Sequence, residues 1–265
     1  MPITSVCAEY SANTERWRKN RAATDGQDAV KLAGTMFLPD DSEADASQAA
    51  RLRYARYQMR AVWMPVSSYT VAGLSGMVFR LPADVELPSQ LEYLETNADG
   101  AGLSLEQLAK LCLDEVLIVG RSILLSEYPQ SEPGLSAEEV ARRNLQARIT
   151  TYAAEAADNW KFELVGGVMK LTMVKLCEQT ETEKDEFTVE IKKQYRVLRL
   201  RDGVYTQAIY DEKGEVVVDE FAPVDFTGST FDHIPLQIIG AENNRPDIDQ
   251  APISGIVDLN TAHYQ

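Results

Sequence analysis

Ser104-Leu105-Glu106-Gln107-Leu108-Ala109-Lys110-Leu111-Cys112-Leu113-Asp114-Glu115-Val116-Leu117-Ile118-Val119-Gly120-Arg121-Ser122-Ile123-Leu124-Leu125 holds a helix start, a helix stop and a strand in one run. Ser104 and Gln107 form a capping-box pattern, in which each side chain satisfies a backbone N–H that the first turn leaves free. Leu105, Leu108, Ala109, Cys112, Val116 and Val119 recur at helical spacing. Gly120 stands where a helix is ended by a left-handed residue. Ser122–Leu125 then reads as a buried strand, stopped by Tyr128-Pro129. Cys112, on the apolar face, reads as a small core residue.

Upstream, residues 1–46 read as an N-terminal arm, with a basic patch (Arg16, Arg18, Lys19, Arg21) beside Trp17 and a stop at Phe37-Leu38-Pro39-Asp40-Asp41. A helix is predicted from Ser47 to before Pro65, because the residue before proline avoids helical backbone. It carries Arg51, Arg53, Arg56 and Arg60 among Tyr54, Tyr57 and Trp63. Those arginines are the candidate contact residues for a neighbouring subunit or DNA; the alternative is an ordinary solvated face. A second apolar helix is predicted over Ser67–Val78, with Gly73 and Gly76 permitting close packing. Leu87–Asn97 is a short helix candidate. Asp99-Gly100-Ala101-Gly102-Leu103-Ser104 resembles half a phosphate loop but reads as a turn into the Ser104 cap. The third glycine is missing and no Gly-Lys-Ser/Thr triplet exists.

Downstream, a loop is predicted over 130–135, and Ser136 and Glu139 repeat the capping pattern for a helix to about Gln146. A helical piece over Tyr152–Asn159 follows. From Lys161 the period becomes that of strands: Lys161–Val165, Val168–Cys177, an acidic tip over 178–186, Phe187–Leu200, Val204–Tyr210 after the Asp202-Gly203 hairpin signal, and Glu215–Phe221. Ile234–Ile239 is one more strand. A final helix starts near Pro252 and carries Ile253, Ile256, Val257 and Leu259, which need a surface to bury against. The class is α+β, with N-terminal helices, one buried strand after the Ser104 helix, an antiparallel meander and a C-terminal helix.

The composition bounds the function. The 265 residues carry a net charge of -15, divided as +2 over residues 1–80 and -17 over 81–265. That balance does not suit a sequence-specific DNA reader, which needs a basic face. No run of about 18 apolar residues spans a membrane, and the start lacks the pattern of a signal peptide, so synthesis without export is expected. Three scattered cysteines make no disulfide framework. The two histidines, His233 and His263, lie in different elements, and no Cys-x-x-Cys, His-Glu-x-x-His or Gly-x-Ser-x-Gly occurs. Asp247 and Asp249 read as turn residues beside Pro246. No catalytic residue, cofactor site or metal site is expected. Carboxylates converging from distant strands leave no local pattern, so a hydrolase stays open as an alternative.

Seven collinear strings carry a resemblance. They are Phe37-Leu38-Pro39 before the arginine helix; Arg60-Ala61 with Tyr69-Thr70-Val71-Ala72-Gly73-Leu74-Ser75-Gly76-Met77-Val78-Phe79-Arg80; Asn97–Leu105; Glu115–Leu125 with Tyr128-Pro129; Tyr152-Ala153-Ala154-Glu155 with Asn159-Trp160; Tyr195-Arg196-Val197-Leu198-Arg199-Leu200; and Leu259-Asn260-Thr261-Ala262-His263-Tyr264-Gln265. Together they resemble the portal proteins of tailed bacteriophages, in a family once described only as a domain of unknown function. The resemblance implies a non-enzymatic ring subunit, usually dodecameric, at one capsid vertex. It implies assembly in the host cytoplasm and residence in the virion. It implies contacts with identical subunits, terminase, capsid and neck or tail proteins, and double-stranded DNA passing during packaging and ejection without sequence readout. Within that family's architecture, 47–251 corresponds to the α+β wing and 252–265 to the start of the helix leading to the stem. The stem and clip are expected to be missing from this chain. A monomeric binding module is the other alternative.

Overall fold

A computed structural model describes residues 2–40, 47–129, 136–143, 145–225 and 227–265. Its helices are α1 (Ala8–Asp25), α2 (Gln27–Ala33), α3 (Gln48–Arg60), α4 (Val66–Val78), α5 (Leu105–Val119), α6 (Ala137–Arg142) and α7 (Ser254–Tyr264). Its strands are β1 (Arg121–Glu127), β2 (Arg148–Tyr152), β3 (Ala157–Val165), β4 (Val168–Asp185), β5 (Thr188–Arg201), β6 (Val204–Asp211), β7 (Val216–Phe221) and β8 (Leu236–Gly240). The strands form two antiparallel sheets, ordered β2-β1-β8 and β3-β4-β5-β6-β7. The class is α+β, with the meander in chain order.

The α5–β1 joint follows its local sequence. Ser104 Oγ accepts from the Gln107 N–H at 3.2 Å, and Gln107 Oε1 accepts from the Ser104 N–H at 3.0 Å. Gly120 ends the helix at φ +87°. A Cβ there would sit 2.3 Å from the Asp249 carbonyl oxygen, so the glycine serves both the backbone angle and the approach of the Asp249 loop. Asp249 is the turn residue its sequence suggested: Oδ2 accepts from the N–H groups of Glu242 and Asn243. Asp202-Gly203 turns with positive φ at both residues, as a tight hairpin requires.

The two largest cores among the described residues lie on either side of this joint. The helical core gathers Ala22, Ala23, Val30, Phe37, Leu38, Trp63, Val71, Leu117, Ile253, Val257 and Tyr264. The other is sealed between the sheets by Ile123, Leu125, Leu236 and Ile238 facing Val174, Leu176, Leu198 and Tyr205. Each buried aliphatic side chain contributes about 1.5–3 kcal/mol relative to its exposed state.

Several expectations are corrected. Residues 1–40 are no arm: α1 and α2 are built into the molecule, with Trp17, Ala23, Val30 and Phe37 buried. The apolar residues of α1 are few, and Asn20 completes its buried face by donating to the Ile118 carbonyl at 2.8 Å. The candidate helix at 87–97 shrinks to a 3-10 turn at Glu92–Glu95, and the one from Ser136 stops at Arg142. Tyr152–Asn159 is not helical throughout. Tyr152 ends β2, Ala154–Ala156 is a 3-10 turn, and β3 has begun by Ala157, because β1 and β4 supply pairing partners. The acidic tip is mostly strand, since β4 runs on to Asp185 against β5. Gly73 and Gly76 face open space rather than a close neighbour. Ile253 at the start of α7 and Val257 within it bury inside this same chain, while Leu259 stays 74% exposed. The loop predicted at 130–135 lies outside the described residues.

Candidate functional site

The four arginines expected to make contacts line one helix. Ser47 caps α3, its side chain accepting from the Ala50 N–H at 3.2 Å. Ala50, Tyr54 and Tyr57 turn one face inward: Ala50 is buried, Tyr54 donates to the Leu38 carbonyl at 2.9 Å, and Tyr57 donates to the Gln265 carbonyl at 3.0 Å. Helical spacing puts Leu52, Arg56 and Met59 on the opposite face, flanked by Arg53 and Arg60. Arg51 lies off this stripe. All four arginines are exposed, and among the described residues no carboxylate forms an ion pair with them. Other exposed apolar residues occur at Val62 and Met64 and, on different sides of α4, at Tyr69, Met77 and Val78.

The basic patch of α1 is used differently. Arg21 reaches Glu115 and Glu155, both at 2.5 Å, and Lys19 reaches Asp258 at 2.7 Å. Burial pulls the Arg21 guanidinium down, but the two carboxylates outweigh it and hold it above its ordinary value. Glu115 Oε1 also accepts from the Ala154 N–H at 3.0 Å. Arg21 therefore fastens α1 to α5 and to the turn before β3, and Lys19 fastens it to α7.

A second set of residues escaped sequence reasoning. Beyond Leu176 on β4 and before Gln194 on β5, neither β3 nor β6 pairs with them, so the hairpin continues as a two-stranded ribbon. In the register, Glu181 faces Ile191 and Glu183 faces Val189. Directly opposed residues of an antiparallel pair share a face, so two glutamates and two aliphatic residues stand together. Phe187 follows at the turn, 90% exposed. The other face carries Thr180 with Lys192 and Thr182 with Glu190, and Lys192 and Glu190 pair at 3.2 Å. The usable sequence signal was the period-2 alternation of residues 188–191. It reads as core until the outer strands are seen to stop short.

Convergent carboxylates do occur. Glu127 and Glu178 both bind Arg196, at 2.5 and 2.7 Å, and bridge the two sheets. Tyr152 donates to Glu178 at 2.7 Å, Gln194 donates to the same residue at 2.8 Å, and Thr150 donates to Glu127 at 2.6 Å. Burial, then the Glu178 charge, raises the Tyr152 hydroxyl pKa. An arrangement so fully engaged holds two layers together, and an arginine between the carboxylates is a structural clamp. A cleft of about 540 Å³ lies elsewhere, beside α1 and α7, and is lined by Glu15, Arg16, Lys19, Asn20, Ser254 and Asp258 among others. Among the described residues no three His, Cys, Asp or Glu side chains gather as a metal site. No described helix is long and apolar enough to cross a membrane.

No protein-family model matches the chain, and no curated protein matches it in sequence.

Proposed function

We propose that this chain is a structural subunit of a tailed-phage portal ring, contributing the wing around the channel through which DNA is packaged and ejected. The observation that carries the reading is where four of the seven resembling strings come together. Phe37 of the first string and Tyr264 of the last both pack edge-on against Trp63, with ring centroids at 5.3 Å. Arg121 of the fourth donates to the carbonyls of Ala154 (3.3 Å) and Ala157 (3.0 Å) and stacks at 4.4 Å on Trp160, so it meets the fifth string. Strings remote in sequence thus converge on the fold's specific joints, which is what a shared architecture would keep. The exposed arginine–apolar face of α3 adds a surface suited to a neighbouring subunit.

On this reading the partners are identical subunits, terminase, capsid and neck or tail proteins. DNA passes without base readout along a protein whose net charge is -15. The site of action is the capsid vertex in the virion. The decisive experiment is electron microscopy, with mass measurement, of the product of the complete reading frame. A closed ring of identical subunits is expected, with the end of α7 on the inner side. A product that stays monomeric at high concentration, or a ring with α7 on its outer rim, defeats the proposal.

A further inference from the structure

We infer that the β4–β5 ribbon of one copy of this chain lies along α3 of the next copy. The inference deepens the ring reading and rests on it for closure of the assembly. Four observations lead to it.

The first is the ribbon's lack of support. Among the described residues its outer part has no third strand on either side. A two-stranded hairpin alone is marginal in water, and this one holds Phe187, Val189 and Ile191 in solvent. The second is chemical complementarity. The ribbon face presents Val189 and Ile191 beside Glu181 and Glu183. The outer stripe of α3 presents Leu52 and Met59 beside Arg53, Arg56 and Arg60, all exposed. Each surface is apolar with charge of one sign, and the signs are opposite. Between 178 and 193 there are six carboxylates against three lysines. One of those lysines, Lys193, sits over the Tyr195 ring at 5.2 Å, toward the base of the ribbon and away from its tip.

The third observation is length. The ribbon from Gln179/Lys193 to its turn extends roughly 20 Å at the rise of a strand. The thirteen residues of α3 extend about the same distance at the rise of a helix. The fourth is topology. The two surfaces are different patches of one chain, so their contact is head-to-tail. Such an interface generates rings when the rotation closes, whereas a self-matching patch would stop at a dimer.

The test uses two blocked variants of the whole chain. Leu52→Glu with Arg56→Glu blocks α3 and leaves the ribbon intact. Val189→Glu with Ile191→Glu blocks the ribbon and leaves α3 intact. All four positions are exposed, so each variant should keep the wild-type circular dichroism spectrum and Tm. Assembly is read by native mass spectrometry and sedimentation velocity.

Each variant alone should be monomeric, with assembly weakened by at least about 100-fold, because like charges meet at a contact that formerly paired. Mixed together they should form a 1:1 dimer that grows no further, since one intact ribbon meets one intact α3. A separate chain with Arg53→Glu and Arg56→Glu plus Glu181→Arg and Glu183→Arg should regain assembly. If wild type and both blocked variants form the same ring, the docking is wrong and the ring reading survives. If the mixture dimerises but wild type grows open chains, the docking stands and the ring reading falls. A mixture and a wild type that both remain monomeric overturn both.

Discussion

The α5–β1 joint and the outer face of α3 are both rich in arginine chemistry, and they treat it in opposite ways. At the joint, Arg121 is wholly buried, bonded to two carbonyls and held near Trp17 and Trp160. On α3, Arg53, Arg56 and Arg60 are exposed, with no ion pair among the described residues. The first region spends its polar groups inside the chain, and changes there should be felt as stability. The second leaves its charges unspent, and changes there should be felt only when another molecule arrives.

The comparison is most easily broken at Gly120. Gly120→Val puts a β-branched residue at φ +87° and a Cβ 2.3 Å from the Asp249 carbonyl oxygen. Neither the angle nor the backbone contact can relax cheaply. A loss of about 4 kcal/mol or more is expected in chemical denaturation. A variant that unfolds at the wild-type denaturant midpoint would show that the joint does not hold the two cores together.

Next in size is Arg121→Ala, for which a loss of about 3 kcal/mol is expected. It removes the donor to Ala154 and Ala157 and opens a void between two tryptophans. Relief from burying a charge offsets part of this. Arg121→Met should lose less, because it keeps the packing. Burial pushes the Arg121 guanidinium down to about 10. A cation whose folded-state pKa is depressed carries its full burial penalty below that value and sheds it only as pH rises above it toward the ordinary arginine value. The gap between wild type and Arg121→Met should therefore stay flat from about pH 5 to pH 9. A gap that changes steeply in that window would mean the residue titrates there.

A smaller effect sharpens the same contrast in the loop before α5. Asp99 Oδ1 accepts from the N–H groups of Ala101 at 2.8 Å and Leu103 at 3.0 Å. These bonds hold its carboxyl below the usual 3.8. For an acid with a depressed folded-state pKa, the contribution is present above the unfolded value and is lost as pH falls through the folded one. The protection of the Ala101 and Leu103 amides, relative to their intrinsic exchange at the same pH, should fall on acidification below about pH 4, and in Asp99→Ala at neutral pH. Equal exchange in the variant and wild type would place the loop's order elsewhere.

Legibility in the sequence follows the same division. The helix from Ser104, its stop at Gly120, the strand after it and the Asp202-Gly203 turn were readable because each signal lies within a few residues of what it controls. β2 carries no signal of its own, and only its last residue, Tyr152, falls in a helical reading, because its five residues gain their state from β1, more than twenty positions earlier. α1 was misread as an arm because Ala22, Ala23 and the hydrogen-bonded Asn20 take positions where larger apolar residues usually announce a core. Of the candidate contact surface, the arginines were readable as a charged helix face. The matching ribbon face was not, since Val189 and Ile191 look like core residues until β3 and β6 prove too short to cover them.

The smallest expected effect is the one that separates the two regions most cleanly. Arg53→Glu with Arg56→Glu reverses two charges in the middle of α3. Neither arginine pairs with a described carboxylate, and both are exposed, Arg56 opposite the inward face of Ala50, Tyr54 and Tyr57 and Arg53 at its flank. Glutamate and arginine have similar helix propensities, and mid-helix positions feel little of the terminal dipole. The change in unfolding free energy of the isolated chain should stay within about 0.5 kcal/mol. The same pair of substitutions should still abolish head-to-tail association. Thermal unfolding of the dilute monomer measures the first quantity without the second. A large loss of stability there would mean that the α3 arginines hold this chain together, and the contrast between an inward-turned joint and an outward-facing helix would fail.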